Sequence, residues 1–321
     1  MTGDERVGVV LPVKDGGDYV GAAIESVLAQ TYDDFELVVV DDGSTDGTRE
    51  IVRGFDDPRV TLVENERNLG VAASRNRGAD RVGGELLAFI DHDDVWQPSK
   101  LQRHVSAHRA TGADLVYSDV REVAADGTVL RERAFPDPQP AGPPLVRQLL
   151  FDGGAVIVTM SCVTIRRATW TSVGGEAHDY QVSGDVDLYV RLAGSHAFAR
   201  VPEPLVDKRS HGGNISDDYR TIYRDHQRIL SSALARYPFL DGNDEQHKRA
   251  RMAYRRATSA LRVGRVEEAT RYGRESLAHE RRLRPALVVG LATLDRLAGP
   301  FDPGHRLYRV YDRWATRTGG G

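Results

Sequence analysis

Apolar runs alternate with amphipathic stretches from Val7 to Val120. Val7-Gly8-Val9-Val10-Leu11-Pro12-Val13 is a β-branched run closed by polar residues and predicts a first strand. Tyr19, Val20, Ala23, Ile24, Val27 and Leu28 recur at helical spacing, so Tyr19 to Gln30 reads as a helix. Phe35 to Val40 predicts a second strand, running out into Asp41-Asp42-Gly43-Ser44. Ser44 or Thr45 then suits the cap of a helix over about Gly47 to Arg53. Val60 to Val63 predicts a third strand, and Val71 to Val82 a further helix. Leu86-Leu87-Ala88-Phe89-Ile90 reads as a fourth, buried strand that ends at Asp91. Asp114 to Val120 is another strand, and Asp126-Gly127 turns the chain back into Thr128-Val129-Leu130. Such alternation implies βαβ units, a mostly parallel sheet and a doubly wound α/β core flanked by helices. Beyond it, Phe135 to Pro144 reads as a Pro- and Gly-rich loop, Ala155 to Ile165 as one or two strands, and Asp185 to Ala193 as a helix.

After about Tyr219 strand signals stop and arginine-rich helical periodicity takes over. This divides the chain into a domain over 1–219 and an α-helical, basic region over 220–321. Ala257, Ala260, Leu261, Gly264, Ala269, Tyr272 and Pro285 have the spacing of one tetratricopeptide helix pair near 250–285. A single copy makes no solenoid, so the pair reads as an appendage packing on the core or on another subunit.

In parallel α/β sheets, ligands bind outside the carboxyl ends of the strands. The acidic turn Asp91-His92-Asp93-Asp94 falls at such an end. It suits a hard divalent cation with oxygen ligands, or a plain strand-to-helix loop. Trp96, close behind, suits a wall for a sugar or base. Asp42 offers a carboxylate to a base N–H or a ribose hydroxyl, or else only a tight turn. Asn68 to Gly78 opens a helix from whose first turns Arg75 could reach a phosphate or nucleobase, though a surface arginine is the commoner case. Asp185 and Asp187, at i and i+2, do not share a helix face, so one can point to a cleft while the other pairs or caps. Arg209 and His211 lie in Lys208-Arg209-Ser210-His211-Gly212-Gly213-Asn214, a basic, glycine-rich loop suited to closing over phosphates. No G-x-G-x-x-G follows the first strand and no P-loop occurs, which removes the common dinucleotide and nucleotide motifs.

Composition adds three constraints. One cysteine, Cys162, excludes an internal disulfide and fits a reducing compartment. Neither a signal-peptide pattern nor an apolar run of spanning length is present, so the expected location is cytoplasmic. The net charge of −4 conceals a balance of +10 from Arg220 onward and −14 before it. An acidic front part suits a metal and argues against nucleic acid. The basic tail leaves open a homodimer contact or a peripheral one at the inner face of the membrane.

Taken in order, these sites resemble the family 2 glycosyltransferases, with the A-type nucleotide-sugar (GT-A) fold. The resemblance rests on Val9-Val10-Leu11-Pro12, on Ser26 to Tyr32, and on Phe35 through Asp41-Asp42-Gly43-Ser44-Thr45-Asp46. The spacing Asn68…Gly70…Arg75-Asn76…Gly78 and Asp91-x-Asp93-Asp94 continue it, followed more loosely by Gly174-Gly175 and Gly184-Asp185-x-Asp187-Leu188-x-x-Arg191. It implies an inverting transfer of a sugar from a nucleotide diphosphate, usually uridine- or thymidine-linked, to an acceptor hydroxyl on a glycan, a lipid-linked glycan or a natural product. By similarity Pro12 and Asp42 would border the nucleobase and Arg75 would help hold it. Asp91 and Asp93 would meet ribose and metal, with Asp93 or Asp94 the direct ligand of Mg²⁺ or Mn²⁺. Asp185 would be the base. The chain departs from the pattern at Val13-Lys14-Asp15, where many relatives carry Tyr-Asn, and at Gly184, where an acid usually precedes the base. The second departure leaves Asp185 and Asp187 as rivals, with position favouring Asp185. A nucleotidyltransferase on a related fold and an inactive, transferase-like scaffold are the competing functions.

Overall fold

The structure, a computed structural model, describes residues 5–151, 157–210 and 219–279. Strand and helix alternate through β1 (Val7–Val13), α1 (Val20–Leu28), β2 (Phe35–Asp41), α2 (Thr48–Arg53), β3 (Val60–Glu64), α3 (Val71–Arg81) and β4 (Leu86–Phe89). Then come β5 (Val95–Trp96), α4 (Lys100–Thr111), β6 (Leu115–Ala124), β7 (Val129–Arg133) and α5 (Pro143–Phe151). A 3-10 turn (Met160–Cys162) leads into β8 (Val163–Arg166), α6 (Arg167–Ser172), α7 (Gly184–Ala193) and β9 (Phe198–Ser210). The sheet order is β3-β2-β1-β4-β8-β6-β9-β5, with β7 on the free part of β6. β1 to β4 are mutually parallel. Because β8 opposes both β4 and β6, β6 regains the common direction, and β9 lies parallel to it. This is the mostly parallel, helix-flanked α/β sheet expected from the alternation.

Every residue of β1 is buried, as a strand covered on both faces requires. Pro12 sits in this central strand without breaking a ladder. The Ile90 amide donates to the Val10 carbonyl and the Asp42 amide to the Val13 carbonyl. Backbone groups alternate sides, so Pro12 faces β4, whose pairing with β1 has already ended at Val10.

Three expectations change. Ser44 and Thr45 do not cap α2: its N-cap is Gly47, and the Thr48 amide at its start donates to Asp46 Oδ1 at 3.0 Å. Ser44 Oγ instead accepts from the Asp15 amide, tying the loop after β1 to the loop after β2. Of Ala155 to Ile165, read as one or two strands, the described part is extended into a paired strand only at its end, in β8. Before it, Thr159 Oγ1 accepts from the Ser161 amide and curls the chain into the 3-10 turn, so pairing starts only at Val163, with β6, and at Thr164 with β4. Residues 143 and 144, read as loop, open α5.

The chain divides into two compact units, Met1–Leu149 with Ala155–Asn214, and Leu150–Gly154 with Ile215–Gly321. The described part of the second holds α8 (Tyr219–Arg236), α9 (Gly242–Arg262) and α10 (Val266–His279). Asp241 and Asp244 form a capping box at the start of α9. Gly264, at φ +72°, makes the left-handed turn between α9 and α10. Small residues Ala257, Ala260 and Ala269 let these helices close on Leu230, Leu261, Tyr223 and Tyr272. The Arg256 guanidinium lies over the Tyr272 ring at 3.9 Å and the Tyr223 ring at 4.6 Å. Pro285 lies outside the described residues. No helix among the described residues is long and apolar enough to cross a membrane.

Candidate active site

The acidic residues gather where the parallel strands end. Asp42, one residue beyond β2, is 4% exposed. Its Oδ1 accepts from Asn65 Nδ2 at 2.7 Å and from the Leu69 amide at 2.8 Å, and its Oδ2 accepts from the Gly70 amide at 2.8 Å. Asp42 therefore braces the entry to α3, which leaves its carboxylate about one of roughly four lone-pair sites for a ligand. Lys14 pairs with its neighbour Asp15 at 2.7 Å.

Arg75 enters from the first turns of α3 and is buried, not a surface arginine. Its Nη2 donates to Asp91 Oδ1 at 2.6 Å, and its Nη1 to Glu176 Oε2 at 3.1 Å. Burial alone would make the guanidinium easier to deprotonate, but Glu176 and Asp91 hold it firmly charged. Burial likewise opposes the charge on Asp91, and there Arg75 prevails and keeps the carboxyl below its ordinary range. Arg75 Nε is buried without a hydrogen-bond partner.

Asp91, Asp93 and Asp94 do not share one environment. Asp94 is 2% exposed, with Oδ2 accepting from Ser161 Oγ at 2.6 Å and Oδ1 from the Arg209 amide at 3.1 Å. Burial first, then the charges of Asp93 and Asp91, push its carboxyl up to about 8. Thr159 Oγ1 lies 3.1 Å from Asp91 Oδ2 and 3.3 Å from Asp94 Oδ2. Asp94 thus points inward, towards the 3-10 turn, whereas Asp93 is half-buried and its backbone carbonyl accepts from Arg209 Nε. Arg209, at the end of β9, also donates to the Ala125 carbonyl and covers the Tyr19 ring at 5.0 Å. It braces the acidic turn. His211 lies outside the described residues. Trp96 is core rather than a wall for a sugar. Its indole donates to the Ser161 carbonyl, and the buried Lys100 ammonium sits 3.7 Å over its ring.

α7 separates the two rival bases. Asp187 is buried, with Oδ2 accepting from Arg191 Nε at 2.7 Å and Oδ1 from the Tyr180 hydroxyl at 3.1 Å. Asp185 stays partly exposed, and its Oδ1 accepts from the adjacent Val186 amide. Burial, then the nearby Glu176 charge, push Asp185 up to about 7. Asp185, Asp91 and Glu176 are close enough that the charge of each is felt at Arg75.

Glu176, Thr159 and Ser161 belong to this arrangement and carry no signal in the apolar pattern. Only the Gly174-Gly175 pair hinted at the place. Both adopt positive φ, and Asn76 brackets Glu176, accepting from its amide and donating to its carbonyl.

Among the described residues no group of three or more His, Cys, Asp or Glu side chains is arranged around a common point for a metal. An ion that arrives with a diphosphate needs fewer protein ligands. Mg²⁺-type sites commonly use one or two carboxylates and take the rest from phosphates and water. Burial, and then the crowding of Asp93 and Asp91, keep Asp94 from ionising readily, and such a cation would relieve the crowding. The residues present fit one.

The glycosyl transferase family 2 profile matches residues 8–170. The chain belongs to that family. Its core aligns with the UDP-Glc:alpha-D-GlcNAc-diphosphoundecaprenol beta-1,3-glucosyltransferase WfgD of Escherichia coli, at 36% identity over 116 residues, 36% of this chain and 46% of that one. It also aligns with the succinoglycan biosynthesis protein ExoO of Rhizobium meliloti, at 38% identity over 38% of this chain and 35% of that one. The chain therefore matches less than half the length of each. Among solved structures, S. aureus TarS 1-349 in complex with UDP-GlcNAc superposes with a TM-score of 0.63 and 16% identity, covering 98% of this chain and 92% of that one. The mannosyltransferase PcManGT of Pyrobaculum calidifontis, in complex with GDP-Man and Mn²⁺, gives 0.58 and 16%, covering 98% and 87%. These two likenesses bear out the A-type fold read from the motifs.

Proposed function

We propose that this family 2 chain is an inverting glycosyltransferase that moves a sugar from a nucleotide-diphosphate sugar to an acceptor hydroxyl. The observation that carries the reading is the contrast between Asp187, committed to Arg191 and Tyr180, and Asp185, partly exposed and poised near neutrality. A general base works best when its pKa lies near the working pH. Asp185 takes the proton from the acceptor hydroxyl. The freed oxygen forms its bond to the anomeric carbon while the bond to the diphosphate oxygen breaks and its electron pair leaves with the diphosphate. One displacement inverts the configuration.

Pro12 and Asp42 border the nucleobase in this reading, with Asp42 acting mainly by shaping the Asn68–Gly70 loop. Arg75, enclosed by Asp91 and Glu176, fixes Asp91 towards the ribose. Asp93 is the metal ligand, and Asp94 is the brace behind it. Arg209 is assigned to the phosphates, and so, from the sequence alone, is His211, which lies outside the described residues. Mg²⁺ or Mn²⁺ bound there would neutralise the departing diphosphate. The names of WfgD and TarS support a uridine-linked donor, and a thymidine-linked one is compatible with the same loop. The acceptor is a glycan, lipid-linked glycan or natural-product hydroxyl.

The test is release of UDP from UDP-glucose, UDP-GlcNAc and thymidine-linked sugars by the purified chain with Mn²⁺ or Mg²⁺. Metal-dependent binding and slow hydrolysis are expected, and a chain that neither binds nor hydrolyses any of them ends the proposal. Asp93→Ala should weaken metal-dependent donor binding about tenfold or more, since it removes a charged ligand. Unchanged metal dependence in titration calorimetry would move the ligand role elsewhere.

A further inference from the structure

Glu176 is a carboxylate buried to 2% exposure in an irregular segment, where burying a charge is costly unless it is paired. The fold holds it from three sides. Arg75 Nη1 reaches both oxygens, at 3.1 and 3.3 Å. Asn76 binds its backbone, with the Glu176 amide donating to Oδ1 at 3.0 Å and Nδ2 donating to its carbonyl at 2.7 Å. Arg191 donates to the Val173 and Gly175 carbonyls, fixing the glycine turn that delivers it. The fourth side is a missing side chain: a Cβ built on Gly184 would lie 2.6 Å from Glu176 Oε1. The carboxylate thus fills the volume over the first residue of α7, beside Asp185. Arg75 already has Asp91 as a partner at 2.6 Å, so neutralising Arg75 does not by itself require a second acid.

We infer that Glu176 is a positioning residue for Asp185: it clamps Arg75 between itself and Asp91 and lays a second negative charge beside the base. The inference rests on the reading of Asp185 as that base. The groups that face Asp185 are Glu176 from the loop before α7, Arg75 from α3, Asp91 from the end of β4 and Tyr189 from α7 itself. Arg75 favours a charged Asp185, whereas Glu176 and Asp91 oppose it. Removing the Glu176 charge leaves Arg75 less opposed, so Asp185 should ionise more readily.

The experiment follows the Asp185 carboxyl by NMR in the full chain carrying ¹³C-labelled aspartate, assigned by comparison with Asp185→Asn. In Glu176→Gln, which keeps the shape and loses the charge, the Asp185 midpoint should fall by about one pH unit. In Glu176→Asp it should stay near the wild-type value. A midpoint unmoved in Glu176→Gln, even with a lowered Tm, makes Glu176 a structural partner of Arg75 only and overturns the inference. If Glu176→Gln does not fold, Gly184→Ala serves instead. Its methyl must push the Glu176 carboxylate away, and an unmoved Asp185 midpoint there overturns the inference equally. The titration needs no donor, so a shifted midpoint in a chain that turns over no nucleotide sugar defeats the transferase reading while upholding the link between Glu176 and Asp185.

Discussion

Asp185 and Asp187 stand two residues apart on one helix and differ in almost everything else. Asp185→Asn should leave donor affinity intact and cut transfer by roughly a hundredfold or more, the usual worth of a general base. Since Asp185 is pushed up to about 7, wild-type kcat should rise with pH through about 7 and level off above it. Below that midpoint the base is protonated and idle. Folding stability carries the opposite sign. The native carboxyl binds its proton more tightly than the unfolded one, so stability is favoured at low pH and falls as pH rises from about 4 to about 7. Asp185→Asn should flatten that part of a urea-midpoint-against-pH curve. Asp187→Asn should behave differently, leaving the mostly covered Arg191 beside an uncharged partner. It should cost about 3 kcal/mol in urea titrations and act on catalysis only through stability. The sequence left these two acids as rivals because spacing says which residues share a face and nothing about which is already paired. Gly184 shows the same limit. It reads as a departure from a pattern, and only in space is its missing side chain seen to make room for Glu176.

At the scale of elements, β1 to β4 and α1 to α3 were legible because buried parallel strands and amphipathic helices repeat at fixed periods. β6 and its hairpin partner β7 were legible as well, whereas the two-residue β5 and the long β9 were not. β9 runs from Phe198 to Ser210 through Pro202, Pro204, Asp207, Lys208 and Arg209, and its register with β6 shifts around Ser118 and Asp119. A strand with prolines and charges inside it has no alternation to read, because irregular pairing absorbs them. The acidic turn was visible as a charge cluster. Its division into an inward Asp94 and an outer Asp93 depends on Ser161 and Thr159, from a segment whose β-branched residues had suggested one or two strands. One element-scale packing contact is testable directly. Gly78 lies on α3 where an added Cβ would enter the van der Waals shell of Val10 Cγ1 on β1. Helix propensity alone says Gly78→Ala should stabilise by up to about 1 kcal/mol. Overpacking a closed helix-sheet contact costs about 1–3 kcal/mol, so the clash should win. Net destabilisation with a lower urea midpoint is expected, and a more stable variant would mean α3 can lift off β1 at no cost.

At the scale of the molecule, the positions assigned to donor, metal and base, from Pro12 to Arg209, all lie in the first compact unit. The second unit has its own apolar cluster and its own ion pairs, such as Arg220 with Glu268 at 2.8 Å. From Arg220 onward the balance is +10, which the first unit's acidic site does not need for chemistry. We propose that the region from about Arg220 serves self-association or acceptor docking, roles that a basic helical surface can fill without touching the donor. A chain ending before Arg220 should bind UDP-glucose with Mn²⁺ about as tightly as the full chain in calorimetry. It should also lose either its oligomeric state, read by light scattering after gel filtration, or its transfer to acceptor while hydrolysis of the donor persists. The two losses distinguish the roles, because oligomerisation is visible without any substrate. An acceptor-docking surface built from arginines should further weaken with salt over the range in which the Debye length shrinks from about 10 Å to about 3 Å. A truncated chain with unchanged mass state and unchanged acceptor use would leave the second unit with neither role.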